Sequence, residues 1–139
     1  MINKKGFTLI EILLVVAIIG TLAAMILPRL SGRSEQAKAT MAKVDIESNI
    51  ASALKLYELD NGTFPTTAQS MDALLRKPSV SPAPSHWNGP YLEKEPIDPW
   101  GRRYQYVFPG AHDKSYDLFS FGPKENDEKG RIVNWTTTA

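Results

Sequence analysis

Cysteine is absent from the 139 residues, so disulfides, thiolate metal sites and cysteine nucleophiles are excluded. The compartment stays open, because an exported domain need not carry disulfides. An excess of one charge is missing too: 16 Lys and Arg stand against 15 Asp and Glu, a formal net charge of +1. No dense Lys/Arg face can be drawn, so no nucleic-acid partner is expected. Histidine is scarce, with only His86 and His112, both in segments that read as loops. His112-Asp113 has no second ligand cluster beside it and reads as a solvated turn histidine rather than half of a metal or acid–base site. Trp87 and Trp100 sit beside proline and glycine, where an aromatic side chain pins a turn onto a core more often than it stacks a ligand. Little here supports an enzyme.

What the chain has in quantity is one apolar run. From Phe7 to Leu27 it reads FTLIEILLVVAIIGTLAAMIL, 21 residues whose only ionisable side chain is Glu11. As a helix this run is roughly 30 Å long, the thickness of a bilayer core. A carboxylate there costs a few kcal/mol unless it finds a partner. A secretory signal would explain Lys4, Lys5 and the small residues at Leu22-Ala23-Ala24, but not the acid or the helical pattern that follows. A plain membrane anchor explains the length and not Glu11.

A third reading explains both. Gly6-Phe7-Thr8-Leu9-Ile10-Glu11, behind a short basic leader, resembles the processing motif of type IV pilin-like proteins. The resemblance implies that a dedicated prepilin peptidase cuts between Gly6 and Phe7 and methylates the new amine. Glu11 is then one helical turn from a cationic α-amine on its own chain, and a neighbouring helix arriving in the membrane offers the same group. Removing one partner of such a pair strands the other in lipid. Glu11 therefore reads as a docking device that works after processing, and it implies a polymer.

Beyond the membrane segment about 110 residues remain, room for one small core. The organisation expected is a leader at 1–6, a transmembrane and assembly helix at 7–28, and a globular domain at 29–139 that includes the second half of the long helix. Ile46, Ile50, Ala53, Leu54 and Tyr57 make an apolar stripe at helical spacing, ended by Asn61-Gly62. Pro28 removes a backbone bond and crowds the carbonyl of Ala24, and Gly20 lowers helix propensity, so the segment between them is the weak part of the rod: a kink in an isolated subunit, or a stretch that unwinds when subunits pack. Thr66 and Gln69 have capping-box spacing and open a short helix to about Arg76. Seven of the ten prolines fall between Pro65 and Pro99, largely turns. Tyr91–Glu93, Tyr104–Phe108 and Tyr116–Ser120 read as three short strands, joined in part by the Asp98-Pro99-Trp100-Gly101 turn. The fold class is α+β: a long N-terminal helix with a small antiparallel three-stranded sheet packed on its C-terminal half, followed by a polar tail closing on Trp135.

Over nearly its whole length the chain resembles the major pseudopilins of bacterial type II secretion. The blocks that carry this are Gly6–Glu11, Pro28, Asp60–Thr67, Asp98–Gly101, Tyr116–Gly122 and Asn134-Trp135. The resemblance implies a non-enzymatic subunit of the bacterial inner membrane, crossing once with a cytoplasmic N-terminus and a periplasmic domain and lying in membrane lipid before assembly. It implies a homopolymer that forms with minor pseudopilins on an inner-membrane platform driven by a cytoplasmic ATPase. The product is a periplasmic filament that moves folded proteins across the outer membrane. A type IV pilus subunit is the nearer alternative, but many of those close their C-terminal region with a cysteine pair and lack the DPWG and YDLFSFG blocks. A DNA-uptake pseudopilin is disfavoured by the near-neutral charge.

The resemblance also implies one calcium, held by a backbone carbonyl at Phe121, an aspartate two residues past Gly122, and an acid before Asn134-Trp135. Calcium takes six to eight oxygens, several of them anionic. The sequence departs from that pattern: Lys124 stands at the aspartate position, and Lys129–Val133 contains no acid. The expectation is a loop closed without calcium by Lys124 pairing with Asp127 or Glu128. The alternative is a rearranged calcium site built from the Phe121 carbonyl and Asp127.

Overall fold

Two compact units divide the chain, one ending at Gln36 and the other beginning at Ala37. The computed structural model describes residues 6–112 and 114–136, with the side chains at 27–31 outside the description. Helix α1 runs over Leu9–Val44, unbroken in its backbone through Gly20 and Pro28. It is followed without a gap by a π-helical turn over Asp45–Asn49 and by α2 over Ile50–Asn61. In the first unit Leu9–Ile26 is long and apolar enough to cross a membrane, and none of that segment is buried. Such a face is stable in water only if something else covers it.

In the second unit the expected stripe is the core. Ile46, Ile50, Ala53, Leu54 and Tyr57 are buried, joined one turn earlier by Ala42. Ile46 and Ile50, four residues apart, lie on that face across the π turn, where the Ile50 amide donates to the Asp45 carbonyl five residues back. Gly62 ends α2 at φ 77° and donates its amide to the Glu58 carbonyl at 2.7 Å. The Thr66–Gln69 capping box is present in both directions, at 3.0 and 3.2 Å. It opens only a turn and a 3₁₀ segment, Met71–Leu74, because Ser70 adopts φ 55° between them.

The three-stranded antiparallel sheet is β1 (Gln105–Val107), β2 (Asp117–Ser120) and β3 (Ile132–Val133), in that order. Its third strand differs from the sequence expectation. Tyr91–Glu93 is not a strand: the Tyr91 and Leu92 amides both donate to the Leu74 carbonyl, and the Tyr91 hydroxyl donates to Asp60 at 2.7 Å. The tail supplies the edge instead. Asn134 extends the pairing with its side chain, accepting from the Leu118 amide at 2.9 Å and donating to the Tyr116 carbonyl at 2.9 Å. Trp87 pins its turn as expected, donating its indole N–H to the Ala73 carbonyl at 2.8 Å.

All five tyrosines, at 57, 91, 104, 106 and 116, hold their hydroxyls above the ordinary range. Burial is the main cause in each, and Tyr104 and Tyr91 additionally donate to Asp45 and Asp60. Since the folded values lie above the unfolded value of about 10, this stability is fully present below that pH and is lost as pH rises beyond it. Alkaline titration is expected to hold tyrosinate absorbance back beyond the ordinary tyrosine range and to release it as the domain unfolds. A gradual titration centred near pH ~10 with the fold intact would contradict this packing.

Candidate assembly site

Thr8 stands immediately before α1 and carries the cap of the whole helix. Its hydroxyl accepts from the Glu11 amide at 3.3 Å, and its own amide donates to Glu11 Oε2 at 3.3 Å. This reciprocal arrangement is a capping box. The one carboxylate of the apolar segment is thereby held at the positive end of the helix, three residues from Thr8, and Phe7 just before the helix is 77% exposed. The T-x-x-E spacing was legible at Thr8 and Glu11, but the sequence reading assigned the acid only a docking role. The arrangement caps the helix, fixing the carboxylate in place and leaving it exposed. Gly6, the residue before the expected cut, is exposed, and a Cβ built there would meet nothing within 4 Å. Residues 1–5 of the expected leader and the side chain of Pro28 lie outside the described residues.

The second candidate site is the loop between β2 and β3. Lys124 is exposed and its ammonium makes no ion pair among the described residues; its contribution is a backbone carbonyl that accepts from the Asp127 amide at 3.2 Å. The expected partners are engaged elsewhere. Asp127 caps a 3₁₀ turn over Glu128–Gly130 by accepting from the Lys129 amide at 3.1 Å, and Glu128 lies 3.6 Å from Arg131 Nη1. The cations that do reach the loop are Arg102 and Arg131. Sequence reasoning passed over both, because Arg102 comes from a turn 20 residues away.

Nearby, Asp98 is buried and accepts from the Trp100 amide at 3.0 Å, the Arg102 amide at 2.8 Å and the Ser120 hydroxyl at 2.6 Å. His112 is not a merely solvated turn residue. Its ring stacks on Trp135 at 4.0 Å, and its Nδ1 lies 2.8 Å from the buried Asp117. Asp113 lies outside the described residues. No group of three or more His, Asp or Glu converges among the described residues.

An uncovered apolar helix with a capped carboxylate in its first turn, followed in the chain by a small antiparallel sheet, defines a pilin-like subunit. Residues 29–135 match the family described as type II secretion system protein G, and residues 1–27 match the prokaryotic N-terminal methylation motif. The type II secretion system core protein G of Pseudomonas aeruginosa is 48% identical over 138 residues, 96% of each chain. Its Escherichia coli K12 counterpart is 41% identical over 135 residues, covering 96% of this chain and 92% of that one. The crystal structure of the major pseudopilin from the type 2 secretion system of enterohaemorrhagic E. coli superposes with a TM-score of 0.69 at 37% identity, covering 79% of this chain and 92% of that one. The chain belongs to the type II secretion system protein G family, whose members are structural pseudopilins.

Proposed function

We propose that this chain is cut by a prepilin peptidase between Gly6 and Phe7, methylated on the Phe7 amine, and polymerised through that amine and Glu11. The observation that carries the reading is the carboxylate held by Thr8 at the head of an otherwise apolar, uncovered helix. Before assembly that helix lies in inner-membrane lipid, with a cytoplasmic N-terminus and a periplasmic second unit. After assembly neighbouring helices cover it. The homopolymer grows on an inner-membrane platform with minor pseudopilins and drives export of folded proteins across the outer membrane. Neither catalysis nor nucleic acid enters this role. The near-neutral charge supports the second exclusion.

Intact-mass measurement of chain extracted from membranes tests the processing step. The expected mass is that of residues 7–139 plus one methyl group. A product beginning near Met25 would overturn the reading in favour of an ordinary signal peptide.

A further inference from the structure

The loop from Phe121 to Arg131 offers a divalent cation the wrong donors. Calcium needs several anionic oxygens converging on one point. At the positions the family resemblance assigns to acids stand the exposed Lys124 and, next to Asn134-Trp135, the stretch Lys129–Val133. Asp127 is committed to the Lys129 amide, and Glu128 faces Arg131. Two buried side-chain polar atoms at this loop lack hydrogen-bond partners among the described residues, and both are donors: Nε of Arg102 and Nε of Arg131. A metal takes acceptors gathered at one point, and although the loop carries Glu125, Asp127 and Glu128, no group of three or more His, Asp or Glu converges among the described residues, so the donor set does not fit it.

What closes the loop is already in the chain. Arg102 Nη2 donates to the Gly122 carbonyl. The Gly122 amide donates to the Ser120 hydroxyl at 3.0 Å, and that hydroxyl donates to Asp98 at 2.6 Å. Asp98 also accepts from the Arg102 amide, so both backbone polar groups of Gly122 lead back to one buried carboxylate. Gly122 sits at φ 73°, and a Cβ there would collide with the Gly130 carbonyl, so the two ends of the loop touch at this glycine. At the far end the Arg131 guanidinium lies 5.5 Å from the ring centroids of both Phe119 and Phe121, with Glu128 on its outer side.

We propose that Arg102 and Arg131 close the 121–131 loop in place of a divalent cation, making the fold of this unit independent of calcium. A guanidinium on a carbonyl oxygen supplies the positive charge a metal would supply, and it arrives with the backbone of its own turn. This inference does not depend on the polymer reading.

The test is thermal melting of the full chain in detergent, followed by tryptophan fluorescence, with chelator and with millimolar calcium. Wild-type midpoints are expected to agree within about 1 °C, whereas a calcium site near saturation would separate them by roughly 10 °C or more. Arg102→Met is expected to lower the midpoint by roughly 5–15 °C equally in both buffers, the loss of one charge-assisted hydrogen bond in a domain of this size. If that variant does not fold, Arg102→Lys, which keeps charge and a donor, is expected to fold and to melt below wild type by the same amount in both buffers. A calcium-dependent rise in wild type, calcium rescue of either variant, or an Arg102→Met midpoint equal to wild type would each overturn the proposal.

Discussion

Glu11→Ala is expected to abolish filament formation while leaving membrane insertion and removal of the leader intact. Two losses are combined in that variant, and their sizes differ. Breaking the Thr8 capping box costs about 1 kcal/mol of local helix stability. Leaving a neighbour's cationic Phe7 amine unpaired in a nonpolar interface costs about 3–5 kcal/mol, which at the lower end weakens each contact roughly 150-fold. Repeated at every subunit, the second loss prevents a polymer; the first does not. Glu11→Gln separates the two, since its amide oxygen still accepts from the Thr8 amide but carries no charge. Sheared-filament recovery and electron microscopy are expected to show no polymer for either variant. Normal filaments with Glu11→Gln would reduce the residue to a helix cap.

The second large effect is expected at Asp98→Ala. The side chain is only 3% exposed and holds two amides and the Ser120 hydroxyl, with the Arg102 guanidinium at 4.0 Å. Truncation removes the acceptor of both amides and of the Ser120 hydroxyl. A cost of about 3–5 kcal/mol follows, enough to lower the melting midpoint of a domain near 100 residues by at least about 12 °C. Asp98→Asn keeps one acceptor oxygen and is expected to fall between it and wild type. A midpoint for Asp98→Ala within about 2 °C of wild type would show that the Asp98–Ser120–Gly122 network does not hold the sheet to the loop.

Patterns carried by neighbours in sequence were legible. The 46–57 stripe, the Asn61-Gly62 stop and the Thr66–Gln69 capping box each depend on spacings of a few residues, which local physics fixes, and the Gly6–Glu11 motif was legible as a family resemblance. What escaped depends on partners far along the chain. Tyr91–Glu93 reads as a short strand, yet the Tyr91 and Leu92 amides find the Leu74 carbonyl rather than a neighbouring strand. Ile132–Val133 is too short to show any period, and its place in the sheet is set by Asn134 reaching Leu118 and Tyr116. His112 looked solvated because its partner Asp117 and its stacking surface Trp135 come from β2 and the tail. The same holds for the closing loop: the sequence placed a cation at Lys124, and the fold brings the working guanidinium from Arg102.

The most direct test of the account is a cryo-electron microscopy map of the native filament at side-chain detail. It is expected to show the Glu11 carboxylate of one subunit within about 4 Å of the methylated Phe7 amine of a neighbour, at every interface. Filaments in which Glu11 faces only apolar side chains, with the Phe7 amine elsewhere, would contradict it.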